Sequence, residues 1–243
     1  MNKYIYIKNK LNNYNCSTEW KKCLIESLKL RKPIPFKVNE KFLNFYCKIQ
    51  KRCENGTKIK LRYFYYQQIY EALSKINTNN KKIILFGGGS IISHFFKKSS
   101  IKNTSYPEYN LLNTSNIKEK YDVVICDQVI EHVRKPWLIS KQLQNILNPD
   151  GIIIITTPFT YKKHNHPGDY FRYTTDGLIS LFEDNFKCIE TGGYGNTYNM
   201  NIDYKFDFGE NRLFTKKQII ENKNFHYTME DRYSTVWYIG TKI

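Results

Sequence analysis

The segment YDVVICDQVIEHV, residues 121–133, changes abruptly from apolar to polar side chains. Val123–Cys126 form a short continuous apolar run, which is typical of a central parallel strand covered on both faces. Asp127 and Gln128 follow where that strand is expected to end. Because ligands of open α/β sheets bind beyond the carboxyl ends of the strands, both polar residues are binding candidates. An ordinary exit from a strand into a solvated loop is the alternative.

The composition indicates a folded and basic protein. The chain has 243 residues, of which 41% are hydrophobic, and this is enough for a core. Its 38 Lys and Arg residues against 22 Asp and Glu residues give a formal net charge of +16. This charge favours an anionic partner, foremost a small anionic substrate, with nucleic acid less favoured. The basic residues are scattered, so a charge without a specific role stays open.

Cysteine usage and hydropathy predict a cytoplasmic protein. The six cysteines contain no CxxC pair, and Cys126 lies inside the apolar run, which favours reduced thiols. No apolar run approaches the roughly 20 residues that span a bilayer. The polar start of the chain lacks the apolar core of a secretion signal. We therefore expect no membrane span.

Residues 1–80 are expected to form an N-terminal helical segment or cap, ahead of a main domain at 81–243. Apolar residues recur at helical spacing in three places, and prolines break the pattern after the first. The predicted helices lie around Trp20, Leu24 and Leu28, at Asn39–Arg52, and at Lys60–Ile76.

From Lys82 the pattern changes to strands alternating with helices. The apolar run Ile83–Phe86 leads directly into Gly87, Gly88 and Gly89, and a helix beginning near Ile91 is expected next. Glycines between a strand and a helix let backbone N–H groups approach a phosphate or nucleotide closely. A tight turn without a ligand stays open, because the full GxGxxG pattern is absent.

The remaining segments predict an open, doubly wound α/β sheet that is mostly parallel. Turn residues, helix caps and apolar runs follow one another in the required order. The predicted features are a helix from Pro136, a turn at 148–151, a strand at Gly151–Thr157, a helix capped by Thr174 or Thr175, and strands at Phe186–Thr191 and Ser234–Ile239.

Several motifs in order carry a resemblance to a known family. They are FGGGS at 86–90, YDVVICDQVIEHV at 121–133, the NPDG turn at 148–151, HNHPGDYFRYTTDGL at 164–178 and GGYGN at 192–196. Residues 80–243 resemble the class I S-adenosylmethionine-dependent methyltransferases. Within that class the chain is similar to a bacterial, type 11-like small-molecule subgroup often found with surface-glycan (polysaccharide and capsule) and secondary-metabolite genes.

The resemblance implies a Rossmann-like fold with a seven-stranded sheet, its last strand antiparallel, and S-adenosylmethionine across the ends of the first four strands. By position, Gly87, Gly88 and Gly89 are expected to contact the methionine part of the cofactor. Asp127 and Gln128 are expected beside its sulfonium end, and Asn110 near its adenine. His132 is expected to contact the cofactor or substrate, with a capping or packing role equally open.

The chain departs from the family pattern at the start of the domain. Leu85 stands where the family commonly has an acidic residue, and Ile91 replaces its third glycine. Only 33 positions separate Gly89 from Asp122, so the second strand and its helix are expected to be truncated. Glu108 is a candidate for the carboxylate that binds the ribose.

The segment 164–174 supplies the candidates for proton transfer and acceptor binding. If the acceptor is a hydroxyl or an amine, a general base is useful, and histidine takes up a proton near neutral pH. His166 is the first candidate and His164 the second, with Asp169 orienting the base. A further set is expected to bind an anionic acceptor or to lock the loop; it consists of Tyr170, Arg172 and Tyr173. A structural ion pair between Arg172 and Asp169 stays open.

A metal site is not predicted. His164, His166 and Asp169 have suitable side chains, but a fourth ligand is not apparent.

The resemblance predicts an S-adenosylmethionine-dependent methyltransferase acting on O or N of a small, anionic, phosphorylated or nucleotide-linked surface-polysaccharide precursor. An RNA-binding or RNA-modifying protein and a non-catalytic interaction protein are the alternatives, and homo-oligomerisation is left open. A His166→Ala variant is expected to retain cofactor affinity and to lose turnover, measured by titration and by single-turnover assays. Unchanged turnover would remove His166 as the base.

Overall fold

The computed structural model describes residues 18, 22–23, 32–50, 59–87, 90–164, 168–205 and 213–243, with the backbone alone described at 203–205. Three predictions fall largely or wholly outside these ranges. They concern the helix around Trp20, the contacts of Gly88 and Gly89, and the role of His166 as the base. These three remain predictions.

A six-stranded sheet forms the centre of the described structure. Its strands are β1 (Lys82–Phe86), β2 (Ser100–Thr104), β3 (Tyr121–Asp127), β4 (Leu147–Pro158), β5 (Phe186–Tyr194) and β6 (Thr235–Lys242). They lie in the order β2-β1-β3-β4-β6-β5. The first four are mutually parallel, whereas β6 runs antiparallel to both β4 and β5. This arrangement confirms the Rossmann-like, mostly parallel α/β sheet with an antiparallel last strand.

The number of strands differs from the expected seven. Residues 105–120 contain no strand, and β2 is the edge of the sheet among the described residues. The helix expected after the glycine turn is a single 3-10 turn at Ile91–Phe95. The second strand itself is present, so the truncation removes the helix before it and the strand after it. The short stretch between β1 and β3 has no room for both.

The apolar run in β3 is buried on both faces, as its sequence predicts. Val123 and Ile125 belong to one hydrophobic cluster and Val124 and Cys126 to the other. Alternate residues of a strand point to opposite faces of the sheet, so a continuous apolar run is needed when both faces are covered.

Helices on both faces supply this cover. Helices α1 (Glu40–Ile49) and α2 (Arg62–Leu73) contribute to the first cluster, and α3 (Ile139–Asn145) and α4 (Thr175–Phe182) to the second. Asn39 caps α1 by accepting a hydrogen bond from the backbone N–H of Phe42. Because α1 and α2 share one cluster with β1 and β3, they extend the same core. The division of the chain at residue 80 remains a prediction.

Local signals place two helix starts correctly and one turn incorrectly. Pro136 opens a 3-10 turn that leads into α3, and the Thr174 hydroxyl accepts from the Gly177 backbone N–H to cap α4. The turn predicted at 148–151 is instead an irregular part of β4. There Tyr121 pairs with Leu147 but Val123 pairs with Ile152, and Asp150 takes a φ of 56°. Aspartate tolerates this left-handed conformation, which lets the strand absorb the extra residues.

The C-terminal part returns to the N-terminal part beside the sheet. Helices α5 (Thr197–Lys205) and α6 (Lys216–Glu221) follow β5. Two short antiparallel pairs join Ile34–Pro35 to Tyr227–Thr228 and Ile59–Lys60 to Leu213–Phe214. In the part of the chain that is described, no helix is long and apolar enough to cross a membrane.

Candidate active site

Asp127 is the hub at the carboxyl end of β3. Its carboxylate accepts hydrogen bonds at 2.6 Å from the hydroxyls of Tyr66, Ser90 and Thr156. These donors come from α2, from the segment after β1, and from β4. The carboxylate therefore fastens three elements together at the edge where ligands of such sheets bind.

Gln128 follows in a left-handed conformation, with a φ of 59°. Its backbone N–H donates to the carbonyl of Thr156 at 3.0 Å, and its side-chain amide donates to the Thr156 hydroxyl at 3.1 Å. These two bonds fix the direction of the side chain. Gln128 lines two separate cavities, which we call cavity A and cavity B.

Cavity A has a volume of about 540 Å³ and lies at the carboxyl ends of β1, β2 and β3. Four of the residues predicted to bind the cofactor line it, together with Tyr170, which was predicted to bind substrate. The four are Gly87, Asn110, Gln128 and His132. Asp127, also predicted to bind the cofactor, is not among the residues that line either cavity, and its oxygens hold the three hydroxyls instead.

Gly87 shows why a glycine stands at the end of β1. Its φ is 91°, a conformation that other residues rarely adopt, and a Cβ atom here would lie 2.5 Å from Cγ2 of Val129. The absence of a side chain leaves the backbone accessible at the floor of cavity A.

The outer wall of cavity A contains residues that the sequence interpretation missed. Arg134 donates from Nε to the Tyr170 hydroxyl at 2.9 Å, and its guanidinium lies 5.3 Å from the centre of the Tyr170 ring. Tyr106 and Tyr109, in the loop after β2, also line the cavity. The sequence signal that could have identified Tyr106 and Tyr109 is their position close to Asn110, a predicted cofactor-binding residue. Glu108, the candidate for the ribose, is exposed and is not among the lining residues.

Cavity B has a volume of about 230 Å³. It is lined from the start of α2, from the segment after β4, and from the C-terminal third of the chain. Besides Gln128, its polar and charged lining residues are Lys60, Arg62, Tyr65, Tyr161, His164, Tyr194, Asn199, Ser234 and Thr235. Lys60 and Arg62 carry a positive charge, and none of the described lining residues has a carboxylate side chain.

Several polar groups around cavity B have no hydrogen-bond partner among the described residues. They are the hydroxyls of Tyr65 and Ser234 and both amide atoms of Asn199. Buried polar groups in native proteins are nearly always paired, and an unpaired one is costly. A bound molecule that supplies donors and acceptors would remove this cost.

Glu131 lies on the short 3-10 turn Ile130–His132 and is completely buried. Burial raises the pKa of this carboxyl to about 7. Its Oε2 accepts a hydrogen bond from Thr157 at 3.3 Å, whereas Oε1 has no hydrogen-bond partner among the described residues. This oxygen lies 3.6 Å from Nε2 of His132 and 3.9 Å from Nε2 of His164.

In the loop after β4, the carboxylate of Asp169 contacts His164. Nδ1 of His164 lies 3.2 Å from Oδ2 of Asp169, and the His164 backbone N–H donates to the same oxygen at 2.8 Å. Burial lowers the pKa of His164. For Asp169 burial alone would raise the pKa, but the hydrogen bonds from Arg172 and from the His164 backbone N–H, together with the nearby positive charge, outweigh it and hold this pKa at about 2.

The described contacts of Arg172 lie within the loop, and those of Tyr173 lie in the core. Arg172 forms a two-pronged ion pair with Asp169 and donates to the carbonyl of Phe171 at 2.9 Å. Tyr173 is buried, with its hydroxyl 3.4 Å from the carbonyl of Ile130. Neither residue lines cavity A or cavity B. The ion pair that the sequence left open is therefore present.

Residues 56–187 match a family model described as a methyltransferase domain, which is more than half of the chain. The chain belongs to this methyltransferase family. The family assignment confirms the predicted class, that of S-adenosylmethionine-dependent methyltransferases. Leu85 and Ile91, the departures from the family pattern, are both buried in the core.

The methyltransferase is similar in sequence to several curated proteins. A tRNA U34 carboxymethyltransferase of Campylobacter lari is 28% identical over 142 residues, which cover 51% of this chain and 46% of that protein. A ubiquinone biosynthesis O-methyltransferase of Haemophilus ducreyi is 32% identical over 56 residues, or 23% of this chain and 24% of that protein. The methyltransferase thus matches less than half the length of these curated relatives.

Among solved structures, the N-methyltransferase NodS of Bradyrhizobium japonicum, in complex with S-adenosyl-L-homocysteine, has a TM-score of 0.43 and 8% identity. The match covers 73% of the methyltransferase and 85% of that chain.

Proposed function

We propose that this chain transfers a methyl group from S-adenosylmethionine, bound in cavity A, to an oxygen or nitrogen of a small anionic acceptor in cavity B. The observation that carries the proposal is that Gln128 lines both cavities. Methyl transfer is an in-line displacement that needs two molecules aligned at one boundary with water excluded. A rigid residue at the end of β3, shared by two cavities, provides such a boundary.

Cavity A suits the cofactor by size and by chemistry. Its volume of about 540 Å³ falls within the usual range of small-molecule sites. Gly87 permits close approach to the backbone, and Asn110 offers an amide for a purine edge. Tyr106 and Tyr109 offer aromatic surface for a base. When bound, S-adenosylmethionine supplies an electrophilic methyl group on a sulfonium.

Cavity B favours a polar and negatively charged acceptor. Lys60 and Arg62 contribute positive charge, and Tyr65, Asn199 and Ser234 contribute buried groups in need of partners. The volume of about 230 Å³ limits the enclosed part of the acceptor to something small. A phosphorylated or nucleotide-linked glycan precursor has this chemistry, because it combines hydroxyls with phosphate.

We assign proton removal to the segment after β4 that contains His164 and His166. His164 lines cavity B, and His166, the first candidate for the base, follows two positions later outside the described residues. Arg172 and Asp169 act as positioning residues because Asp169 contacts His164 and is paired with Arg172.

The direct test is binding followed by turnover. The full chain is titrated calorimetrically with S-adenosylmethionine and S-adenosylhomocysteine, and we expect one site per chain. A panel of phosphorylated and nucleotide-linked sugars is then screened for a mass gain of one methyl group. Absence of binding to either cofactor form would end the proposal, whereas binding without transfer to any anionic sugar would end the part that names the acceptor.

Tyr65→Phe is expected to separate binding from stability. Removing an unpaired buried hydroxyl should raise the free energy of unfolding by about 1 kcal/mol, measured by urea denaturation. The same change should lower kcat/KM for the acceptor about tenfold, because one hydrogen bond to the bound molecule is lost.

Tyr63→Phe is the matched control on the same helix, since the Tyr63 hydroxyl donates to Oε1 of Gln67 at 2.7 Å. This variant should lose stability and keep its acceptor affinity. If Tyr65→Phe destabilises as Tyr63→Phe does, then the Tyr65 hydroxyl is not reserved for a ligand.

An RNA substrate is a second candidate, favoured by the net charge of +16 and by the relative named as a tRNA carboxymethyltransferase. Affinity for RNA that depends on phosphate contacts falls steeply with salt, because counterions are released on binding. Specific, salt-dependent binding of tRNA together with methylation of it would replace the anionic sugar as acceptor. Affinity independent of salt would count against RNA.

A further inference from the structure

Three potential metal ligands converge between cavity A and cavity B. Oε1 of Glu131, a ring nitrogen of His132 and a ring nitrogen of His164 all lie within 4.8 Å of one another. His132 lines cavity A and His164 lines cavity B, and the centres of the two rings are 4.9 Å apart. The cluster therefore lies in the wall that the two cavities share.

One hydrogen bond shows which ring nitrogen of His132 is the donor. Nδ1 of His132 is hydrogen-bonded to the backbone carbonyl of Gly168. A carbonyl oxygen can only accept, so Nδ1 carries the hydrogen of the neutral ring. Nε2 is then the nitrogen with the lone pair, and it is this atom that lies 3.6 Å from Oε1 of Glu131.

The ring of His164 lies between two carboxylates. Its Nδ1 faces the Asp169 carboxylate at 3.2 Å, and its Nε2 faces Oε1 of Glu131 at 3.9 Å. Histidines that ligate metals commonly direct their other ring nitrogen to a carboxylate or a backbone carbonyl, which fixes the tautomer and the ring. Asp169 and the carbonyl of Gly168 are one partner of each kind.

Glu131 completes the set as a completely buried carboxylate. Thr157 satisfies one of its oxygens, and the other points to the histidines without a hydrogen-bond partner among the described residues. Burial raises the pKa of this carboxyl, and the positive charges of Arg172 and Arg62 offset that effect only in part. Nε2 of His132 presents a lone pair to this oxygen and brings no proton to it, so a cation between Glu131 and the two rings would stabilise the carboxylate.

We propose that Glu131, His132 and His164 bind one divalent transition-metal ion, with Zn²⁺ as the best match. Two imidazoles and one carboxylate form a set typical of zinc sites that keep a fourth position open. Bond lengths of about 2.1 Å place tetrahedral ligands about 3.4 Å apart, so the separations of 3.6 and 3.9 Å need only a small contraction. The two histidine nitrogens, which lie within 4.8 Å of each other, must approach by at most about 1.4 Å. Mg²⁺ and Ca²⁺ prefer oxygen ligands.

This inference revises the sequence prediction of no metal, which considered His164, His166 and Asp169. In this proposal Asp169 contacts the ligand His164 and does not bind the metal itself, whereas Glu131 and His132 are ligands. It gives His164 the role of a ligand and leaves His166 as the predicted base. It does not depend on the proposed methyl transfer, because metal binding is measured on the protein alone.

The test uses the untagged full chain after treatment with a chelator. Calorimetric titration with Zn²⁺ is expected to show one ion per chain. The Co²⁺ form should show the visible absorption of a low-coordinate site and two paramagnetically shifted imidazole N–H protons, one from each ligand ring. The Glu131→Gln, His132→Gln and His164→Gln variants should each weaken Zn²⁺ at least about a hundredfold, and Asp169→Asn about tenfold to a hundredfold.

His94→Gln is the matched control, because His94 is exposed on the 3-10 turn after β1, and its affinity should equal that of the unaltered chain. Circular dichroism establishes that each variant is folded. If a ligand variant does not fold, the unaltered Co²⁺ form provides the test. Two shifted imidazole protons support two histidine ligands, and their absence contradicts the inference. Absence of stoichiometric binding, or affinity unchanged in folded ligand variants, would overturn the inference and leave a proton on Glu131 as the occupant.

Discussion

A Gly87→Ala variant should bind S-adenosylhomocysteine about tenfold to a hundredfold more weakly than the unaltered chain. The φ of 91° at this position strains any residue with a side chain, at a cost of about 1 to 3 kcal/mol. The new Cβ would also lie 2.5 Å from Cγ2 of Val129. Relief requires Gly87 or Val129 to move, and both line cavity A. Calorimetric titration measures the affinity directly.

Gly177→Ala is the control for this experiment, because Gly177 lies in α4 and the nearest atom to its added Cβ is the Thr174 hydroxyl at 3.3 Å. Its cofactor affinity should not change. Equal affinity in the two variants would show that cavity A is not the cofactor site. A stability loss in Gly87→Ala without an affinity loss would restrict Gly87 to a role in folding.

Asp127→Ala should lower the free energy of unfolding by about 3 kcal/mol or more. The change removes the acceptor of three hydroxyl donors at once, and each buried donor left unpaired costs about 1 to 3 kcal/mol. Tyr66, Ser90 and Thr156 are all buried, so water cannot easily replace the carboxylate. Urea denaturation followed by circular dichroism gives the free energy of unfolding.

Asp184→Ala is the control for the loss of a carboxylate, since Asp184 is exposed after α4. Its stability should stay within about 0.5 kcal/mol of the unaltered chain. Asp127→Asn, which retains one acceptor oxygen, should fall between the two. If Asp127→Ala is as stable as the control, the three hydroxyls have found other partners and the hub does not hold the elements together.

The parts of the fold that the sequence predicts are those that local patterns encode. The continuous apolar run of Val123–Cys126 requires a strand covered on both faces, and the structure has one. The cap at Thr174 and the helix start at Pro136 depend on a few neighbouring residues and were also predicted correctly. The turn at 148–151 was wrong because Pro and Gly mark a break in regular pairing, and β4 accommodates that break without ending.

The parts of the candidate site that escaped prediction depend on remote contacts. Tyr65, Asn199 and Ser234 lie far apart in the chain, and their lack of partners is a property of the folded molecule. Glu131 received no role from the sequence, where it stands in a polar motif after an apolar strand. The 3-10 turn at Ile130–His132 turns it inward. Patterns along the chain carry no direct record of such burial.

Among the described residues β2 forms one edge of the sheet, and a sheet edge can pair with a strand of another molecule. No described strand pairs with the outer side of β2, so within the described ranges its outer backbone groups have no strand partner. The strand is short, and Ser100, Lys102 and Asn103 are among its five residues. Brief edges that carry lysine and few apolar side chains discourage strand addition from another molecule. The polar and charged side chains of β2 therefore disfavour pairing of this edge with a strand of another copy of the chain.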